Sequence, residues 1–251
     1  MLMAARILRF FSADDVRKAL PMSEAVVEGT VLTAIRTGTA SGVATEALAR
    51  GDASTAAILG AGVQGRTQLA AVCAVRRIRR AWVFDVSRER AEAFAREMGP
   101  ALQLDVQPVA PAAHAVGHAD VVCTATTSHT PVFCDGDLRP GVHINAVGSY
   151  RPGVQEIPTE TVLRAQVVVD HRASALAEAG DLLIPMAQGR FSEDRLYAEL
   201  GEIIAGQKPG RTSPQAATLF KSVGVAIQDL AAAGHVLARG ARLGLGTEVP
   251  W

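Results

Sequence analysis

Gly60-Ala61-Gly62-Val63-Gln64-Gly65 sets three glycines at a spacing suited to a tight turn, a close approach to phosphate and helix–strand packing. The run lies between the apolar stretch Thr55–Leu59 and a segment of helical character. A helix starting there would present free N–H groups to a pyrophosphate. Glycine clusters also make plain turns. What separates the two readings is Asp85, which closes the next apolar run about 20–25 residues further on, where an acid receives the ribose hydroxyls of a dinucleotide. A carboxylate there accepts from a free 2′-hydroxyl and repels a 2′-phosphate, which favours NAD(H). Arg88 and Arg90 stand close enough to meet a phosphate, so NADP(H) stays open, although arginines at a helix start are usually just solvated.

Other residues with chemical potential form no such pattern. His114 and His118 are four residues apart, as a metal pair can be, but no third ligand accompanies them. A solvated helix face accounts for them, and no metal is expected. Arg76-Arg77-Ile78-Arg79-Arg80 resembles a basic patch. It falls where a helix ends before a strand, where positive charge suits the negative helix terminus and open water. Lysine is scarce: Lys18, Lys208 and Lys221 are the only amines available for Schiff-base or proton-transfer chemistry, and Lys221, beside Ser222, could reach a ligand. G-x-S-x-G, C-x-x-C and H-E-x-x-H do not occur. No catalytic residue follows from residue types alone.

Composition narrows the classes further. In 251 residues, 25 Lys and Arg balance 25 Asp and Glu. A general nucleic-acid binder needs a basic surplus to displace counterions, so none is expected as a partner. With 49% hydrophobic and 20% charged residues the chain can bury a substantial core, and with 4% aromatics that core must be aliphatic. Cys73, Cys123 and Cys134 are odd in number and lack framework spacing, which fits a reduced, cytoplasmic compartment. The first twelve residues show no signal-peptide pattern, and no run of 18 apolar residues occurs, so no membrane is expected.

The elements that would position these residues are legible in outline. A capping hydroxyl and acids at Ser12-Ala13-Asp14-Asp15 start a helix that ends at Pro21. Small residues over 32–48 suggest a helix packed closely on a neighbour. Strands are expected at 55–59, 81–85, 106–109, 120–124, 143–147 and 166–170, alternating with helices that include one to about 75 and one over 88–98. Short continuous apolar strands of this kind mean an α/β, doubly wound parallel sheet of Rossmann type. Helices are expected over 174–183 and 192–205, and a long one over 214–243. The expected organisation is a dinucleotide-binding domain at 53–172. Residues 1–52 and a helical segment at 173–251 would pack together as a second, truncated lobe.

Seven stretches in one order go beyond fold class: Leu32-Thr-Ala-Ile-Arg-Thr37, Gly60-Ala-Gly-Val-Gln64, Thr124-Ala-Thr126, His143-Ile-Asn-Ala-Val-Gly148, Glu178-Ala-Gly-Asp181, Ala198-Glu-Leu-Gly201 and Phe220-Lys-Ser-Val-Gly224. Together they resemble the ornithine cyclodeaminase/mu-crystallin family, and Leu20-Pro-Met-Ser-Glu24 resembles its opening helix. The resemblance implies NAD(P)-dependent chemistry at a carbon that bears an amino or imino group beside a carboxylate. It implies cofactor-phosphate contacts from Arg36 and Thr37. It also implies cofactor contacts from Val63, Gln64, Asp85, Thr126, the turn Ala146, Val147, Gly148 and Ser149, and Ser222. A small amino or imino acid is the implied partner, and a homodimer the implied assembly.

Two departures from the family pattern bear on activity. Family members carry a long segment between the opening helix and the Leu-Thr-Ala-Ile-Arg-Thr motif, with basic residues for the substrate carboxylate and strands of the dimer interface. Here Val26 runs almost directly into Glu28-Gly29-Thr30. Cyclodeaminases and alanine dehydrogenases also place an Asp two residues after the Asn-Ala-Val-Gly turn, where this chain has Tyr150. A phenol can donate a proton but is a poor base near neutrality. The expected activity is therefore reduction of a cyclic imino acid or ketimine to an L-amino acid. Conversion of ornithine to proline and ammonia is the alternative enzyme, and an NAD(P)-binding protein without catalysis is the other reading. Tyr150 could equally be an aromatic that merely packs.

Overall fold

Apolar strands with no polar alternation can only be stable if both faces of their sheet are covered. The computed structural model, which describes residues 7–10 and 29–250, builds such a sheet. Its elements in chain order are β1 (Ile7–Phe10), α1 (Gly29–Leu48), β2 (Thr55–Leu59), α2 (Val63–Val75), β3 (Arg80–Phe84), α3 (Arg88–Leu102) and β4 (Asp105–Pro108). They continue with α4 (Ala112–His118), β5 (Val121–Thr124), β6 (His143–Ala146), α5 (Thr159–Arg164), β7 (Gln166–Val169), α6 (Arg172–Glu178) and α7 (Gly180–Ala187). The last are β8 (Leu196–Glu199), α8 (Leu200–Ile204), β9 (Thr218–Lys221), α9 (Ala226–Leu243) and β10 (Thr247–Pro250).

Eight strands form one sheet in the order β4-β3-β2-β5-β6-β9-β7-β8, and every neighbouring pair is parallel. The chain winds outward from β2 to β4, then returns to lay β5 on the other side of β2. A crevice opens at that reversal, beyond the carboxyl ends of β2 and β5. The expected Rossmann-type architecture is present.

Successive strand residues point to opposite faces. Ile58 and Cys123 lie in one core with Leu69 and Val72 of α2 and Phe94 of α3. The same row of the sheet continues through Asn145 and Phe220 to Val168, over which Ala44 and Leu48 of α1 pack. The opposite row, with Leu59, Val122, Ile144, Val169 and Leu219, meets α4, α5 and α6. Helix α1 fits closely against α2, as its small residues suggested. A Cβ on Gly38 would stand 2.7 Å from the Thr67 carbonyl oxygen, and one on Gly42 3.3 Å from Ala71.

Arg76 explains part of the basic run. Its guanidinium donates to the carbonyl oxygens of Thr45, Glu46, Ala49 and Arg50, at and just beyond the end of α1. That is a positive charge on a negative helix terminus, as the sequence position implied.

The segment after 172 departs from expectation. The helix expected over 192–205 is strand β8 followed by the short α8, and the long helix expected over 214–243 is strand β9 with α9 beginning only at Ala226. Thr218–Lys221 is buried and hydrogen-bonded to β6 on one side and β7 on the other. That placement overrides a weak helical period. The helix expected over 174–183 is two helices that meet at Ala179. Residues 173–251 thus supply two strands to the main sheet rather than helices alone. Helix α9 packs on α1 through Ile35, Ala232 and Val236, and β1 pairs antiparallel with β10. The helix expected from Ser12 lies outside the described residues, as does the Val26–Glu28 junction.

Candidate functional site

The glycine run follows β2 at the lip of the crevice. Gly60 has φ of +104°, and a Cβ there would collide with the Ala125 carbonyl oxygen of the neighbouring strand end. A Cβ on Gly65 would collide with the carbonyl of Gly60, so α2 can approach the loop only as glycine. Gly62 differs: among the described residues, nothing lies within 4 Å of its Cβ position. It also caps α2 without a side-chain hydrogen bond, which leaves the first N–H groups of the helix for a ligand. An open concavity, donors and a positive helix end together fit a pyrophosphate. Val63, largely exposed, and half-buried Gln64 flank the opening.

Asp85 stands just beyond β3, facing the loop. Its Oδ2 accepts from Ala61 N at 2.9 Å and its Oδ1 from Ser87 N at 2.9 Å. Each oxygen keeps a lone pair for a hydroxyl donor. The carboxylate lines a cavity of about 620 Å³ with Val86, Pro108 and His114. Arg88 borders the same cavity, but its Nε bonds Glu92 Oε1 at 2.8 Å on the exposed surface of α3.

A second cavity, of about 420 Å³, opens where α1, α2 and the carboxyl ends of β5, β6 and β9 converge. It gathers Arg36, Thr37, Gln64, Thr126, Val147, Gly148 and Ser222, all singled out in the sequence, and adds Tyr150. Arg36 is already engaged, with Nε on Asp229 at 3.0 Å and Nη1 on Gln228 at 3.3 Å in the first turn of α9. Gly224, at φ +81°, lets the backbone pass that guanidinium, where a Cβ would collide with Nη1. Ser222 Oγ donates to Asp170 at 2.8 Å. Two expected residues do not reach the cavity. Ala146 is buried at the end of β6, and Ser149 is buried with its hydroxyl donating to the Val154 carbonyl at 2.5 Å.

Behind this cavity lies a buried charged network. Lys221 Nζ stands 3.0 Å from Asp181 Oδ2, both side chains fully inaccessible, and donates to the Ala146 carbonyl at 3.3 Å. Asp181 Oδ1 accepts from the backbone N of Glu156 at 2.7 Å and of Ile157 at 2.9 Å. Glu156 is itself buried, and burial raises its carboxyl above the ordinary range against the opposing pull of the Thr126 hydroxyl and Lys221. The suggestion that Lys221 reaches a ligand is thereby corrected, because its ammonium is held in the interior. Glu156 was missed altogether. The available signal was an acid followed directly by Ile157-Pro158 and therefore entering an apolar environment.

Tyr150 is half exposed, with the Arg151 guanidinium 5.5 Å from its ring centroid, and borders a small extension of about 120 Å³ shared with His129. His143 serves the fold. It bonds Thr218 and Asn145, and burial pushes its imidazole down to about 3, so it stays neutral. The rings of His114 and His118 meet at a tilt with centroids 4.7 Å apart, and those of His118 and Trp82 likewise at 5.5 Å.

The model of the ornithine cyclodeaminase/mu-crystallin family matches residues 6–241. A Delta(1)-pyrroline-2-carboxylate reductase of Bacillus cereus is 42% identical over 226 residues, which cover 90% of this chain and 69% of the relative. The ketimine reductase mu-crystallin of Mus musculus is 37% identical, covering 83% of this chain and 63% of the relative. The solved structure of Thermococcus litoralis Delta(1)-pyrroline-2-carboxylate reductase in complex with NADH and L-proline is 46% identical. It superposes with a TM-score of 0.86 over 88% of this chain and 69% of that one.

Proposed function

The chain belongs to the ornithine cyclodeaminase/mu-crystallin family, and from that premise we propose that it reduces a cyclic imino acid or ketimine to an L-amino acid with NAD(H). NADP(H) is the alternative cofactor. Gly60, Gly62, Val63, Gln64 and Gly65 are assigned to the pyrophosphate and Asp85 to the adenosine ribose. Arg36 and Thr37 are assigned to cofactor phosphate, and Thr126, Val147, Gly148 and Ser222 to the nicotinamide half. The bound nicotinamide supplies the hydride. The protein's share is to orient the reacting carbon, keep water out and deliver a proton to the imine nitrogen. Cation for a substrate carboxylate is at hand in Arg151, in the small extension.

The observation that carries the reading is Tyr150 at the mouth of the cavity, where the family resemblance implies an aspartate in cyclodeaminases. Imine reduction calls for a proton donor there, whereas deamination of ornithine calls for a base. A homodimer and a cytoplasmic location belong to the same proposal. Large apolar side chains exposed on α8 and α9 (Ile204, Ile227 and Leu230) support the first, and free Cys73, Cys123 and Cys134 the second.

The test follows NADH absorbance with pyrroline-2-carboxylate and piperideine-2-carboxylate, and NAD reduction or proline formation with ornithine and alanine. Oxidation of NADH by either cyclic imine is the expected result. Cofactor binding without turnover of any of the four compounds would leave a dinucleotide-binding protein instead.

A further inference from the structure

Glu156 takes no part in the chemistry just described, yet both walls of the nicotinamide cavity rest on it. Its Oε1 accepts from Thr126 N at 2.7 Å and from Thr126 Oγ at 2.5 Å, while Oε2 accepts from Thr124 Oγ at 3.2 Å. From the other wall, Gly148 lies flat over the same group, and a Cβ there would collide with both carboxylate oxygens. The acid is fixed from behind, since Asp181 holds its backbone N–H at 2.7 Å and in turn pairs with Lys221.

This arrangement dictates the polarity of a hydroxyl. Oε1 already accepts from the Thr126 N–H, so it meets the Thr126 hydroxyl as an acceptor too, and the single proton of Thr126 Oγ is committed to Glu156. One lone pair of that oxygen accepts from Ser128 N at 3.0 Å. The remaining one is left for the cavity that Thr126 lines. Were Thr126 instead held by a donor, its proton would be free to turn outward and the same oxygen would greet a carbonyl.

We propose that Glu156 is a positioning residue that locks Thr126 as an acceptor, so that the cavity selects a ring bearing an N–H donor, the primary carboxamide of nicotinamide, over one bearing a carbonyl alone. The inference rests on the reading of this cavity as the nicotinamide site. It also assigns Gly148 a reason beyond turn geometry: a side chain there would displace the carboxylate that sets the lock.

The test compares equilibrium binding of NADH with that of its 3-acetylpyridine analogue, which keeps the ring carbonyl and lacks the amide N–H. Binding is read by titration without any imine present. The wild-type chain is expected to prefer NADH about tenfold, the worth of one hydrogen bond to a partly buried acceptor. Thr126→Val removes the acceptor and should bring the ratio near one, with a lowered melting temperature because Glu156 and Ser128 N each lose a partner. Glu156→Gln keeps a carbonyl oxygen on Thr126 N and Oγ and should retain the preference, whereas Glu156→Leu removes the acceptor, frees the hydroxyl proton and should lower the ratio. Thr126→Ser keeps the hydroxyl and should retain the preference. A Thr126→Val protein with the wild-type ratio would overturn the inference, as would a wild-type chain that binds both dinucleotides equally. Those outcomes leave the assignment of the cavity intact. A wild-type chain that binds NADH not at all would overturn the assignment and the inference together. Should Glu156→Leu fail to fold, Glu156→Asp, which draws the carboxylate back from Thr126, takes its place with the same lowered ratio expected, and an unchanged ratio would overturn the role of Glu156.

Discussion

On the β2–β3 side of the crevice the candidate site is made of backbone; on the β5–β6–β9 side it is made of buried side chains. The first side consists of glycines at 60, 62 and 65, an uncapped helix start and one acid, Asp85, which itself holds two backbone N–H groups. The second consists of Glu156, Asp181 and Lys221, which hold Thr126 and underlie the Gly148 turn from within the protein. The two constructions fail in different ways. A site of backbone can lose its ligand and keep its fold, because little that is buried depends on it. A site supported by inaccessible charges cannot lose one partner without exposing another to an apolar interior, so here fold and function are joined.

The largest expected effect is therefore on the second side. Lys221→Met would leave Asp181 and Glu156 buried without their cation, at a cost of about 3–5 kcal/mol in urea denaturation. Adding Asp181→Asn should recover part of that, since it removes one unmet charge and keeps an oxygen for the backbone N–H groups of Glu156 and Ile157. A Lys221→Met protein within about 1 kcal/mol of wild type would erase the contrast between the two sides.

On the first side, Gly60→Ala forces a Cβ onto a residue at φ +104° and into the Ala125 carbonyl. Strain of about 1–3 kcal/mol is expected, with NADH affinity falling more than about tenfold as the loop shifts. Dinucleotide titration alongside thermal melting separates the two effects. Loss of stability without loss of binding would remove the loop from the cofactor site.

The difference between the two sides also explains what was legible in the sequence. Gly60, Gly62, Gly65 and Asp85 lie within one strand–helix–strand unit, and local spacing carries their meaning. Thr126 and Gly148 end strands whose apolar runs were equally plain. Glu156, Asp181 and Lys221 are widely separated in sequence and meet only because β9 inserts between β6 and β7. That insertion was read as helix, so Lys221 was placed on a helix face instead of in the sheet. No local pattern could have shown that its ammonium turns inward to Asp181. The family resemblance flagged the two motifs that hold Asp181 and Lys221 without showing that they touch.

Asp85→Ala sharpens the picture of the backbone side. The carboxylate is expected to accept a ribose 2′-hydroxyl, so its removal should weaken NADH about tenfold, a loss of about 1.4 kcal/mol. NADPH binding should suffer less, because a repulsion is lifted at the same time. Both cofactors should lose something, since Ala61 N and Ser87 N lose their acceptor. Equal weakening of the two in parallel titrations would show that Asp85 holds the loop and does not discriminate.

The smallest effect expected is that of Arg88→Ala, and it asks whether the backbone side needs a cation at all. Arg88 borders the cavity of Asp85 but is 92% exposed and bonded to Glu92 at i, i+4. Such a pair stabilises a helix by about 0.3–0.5 kcal/mol and is screened by salt. If that is its whole role, Arg88→Ala should lower stability by about that amount and leave NADH and NADPH affinities as they were. A selective fall in NADPH affinity would instead mean that the guanidinium leaves Glu92 to meet a 2′-phosphate. The side built of backbone would then carry a charged arm of its own, and Asp85 alone would no longer set the choice of cofactor.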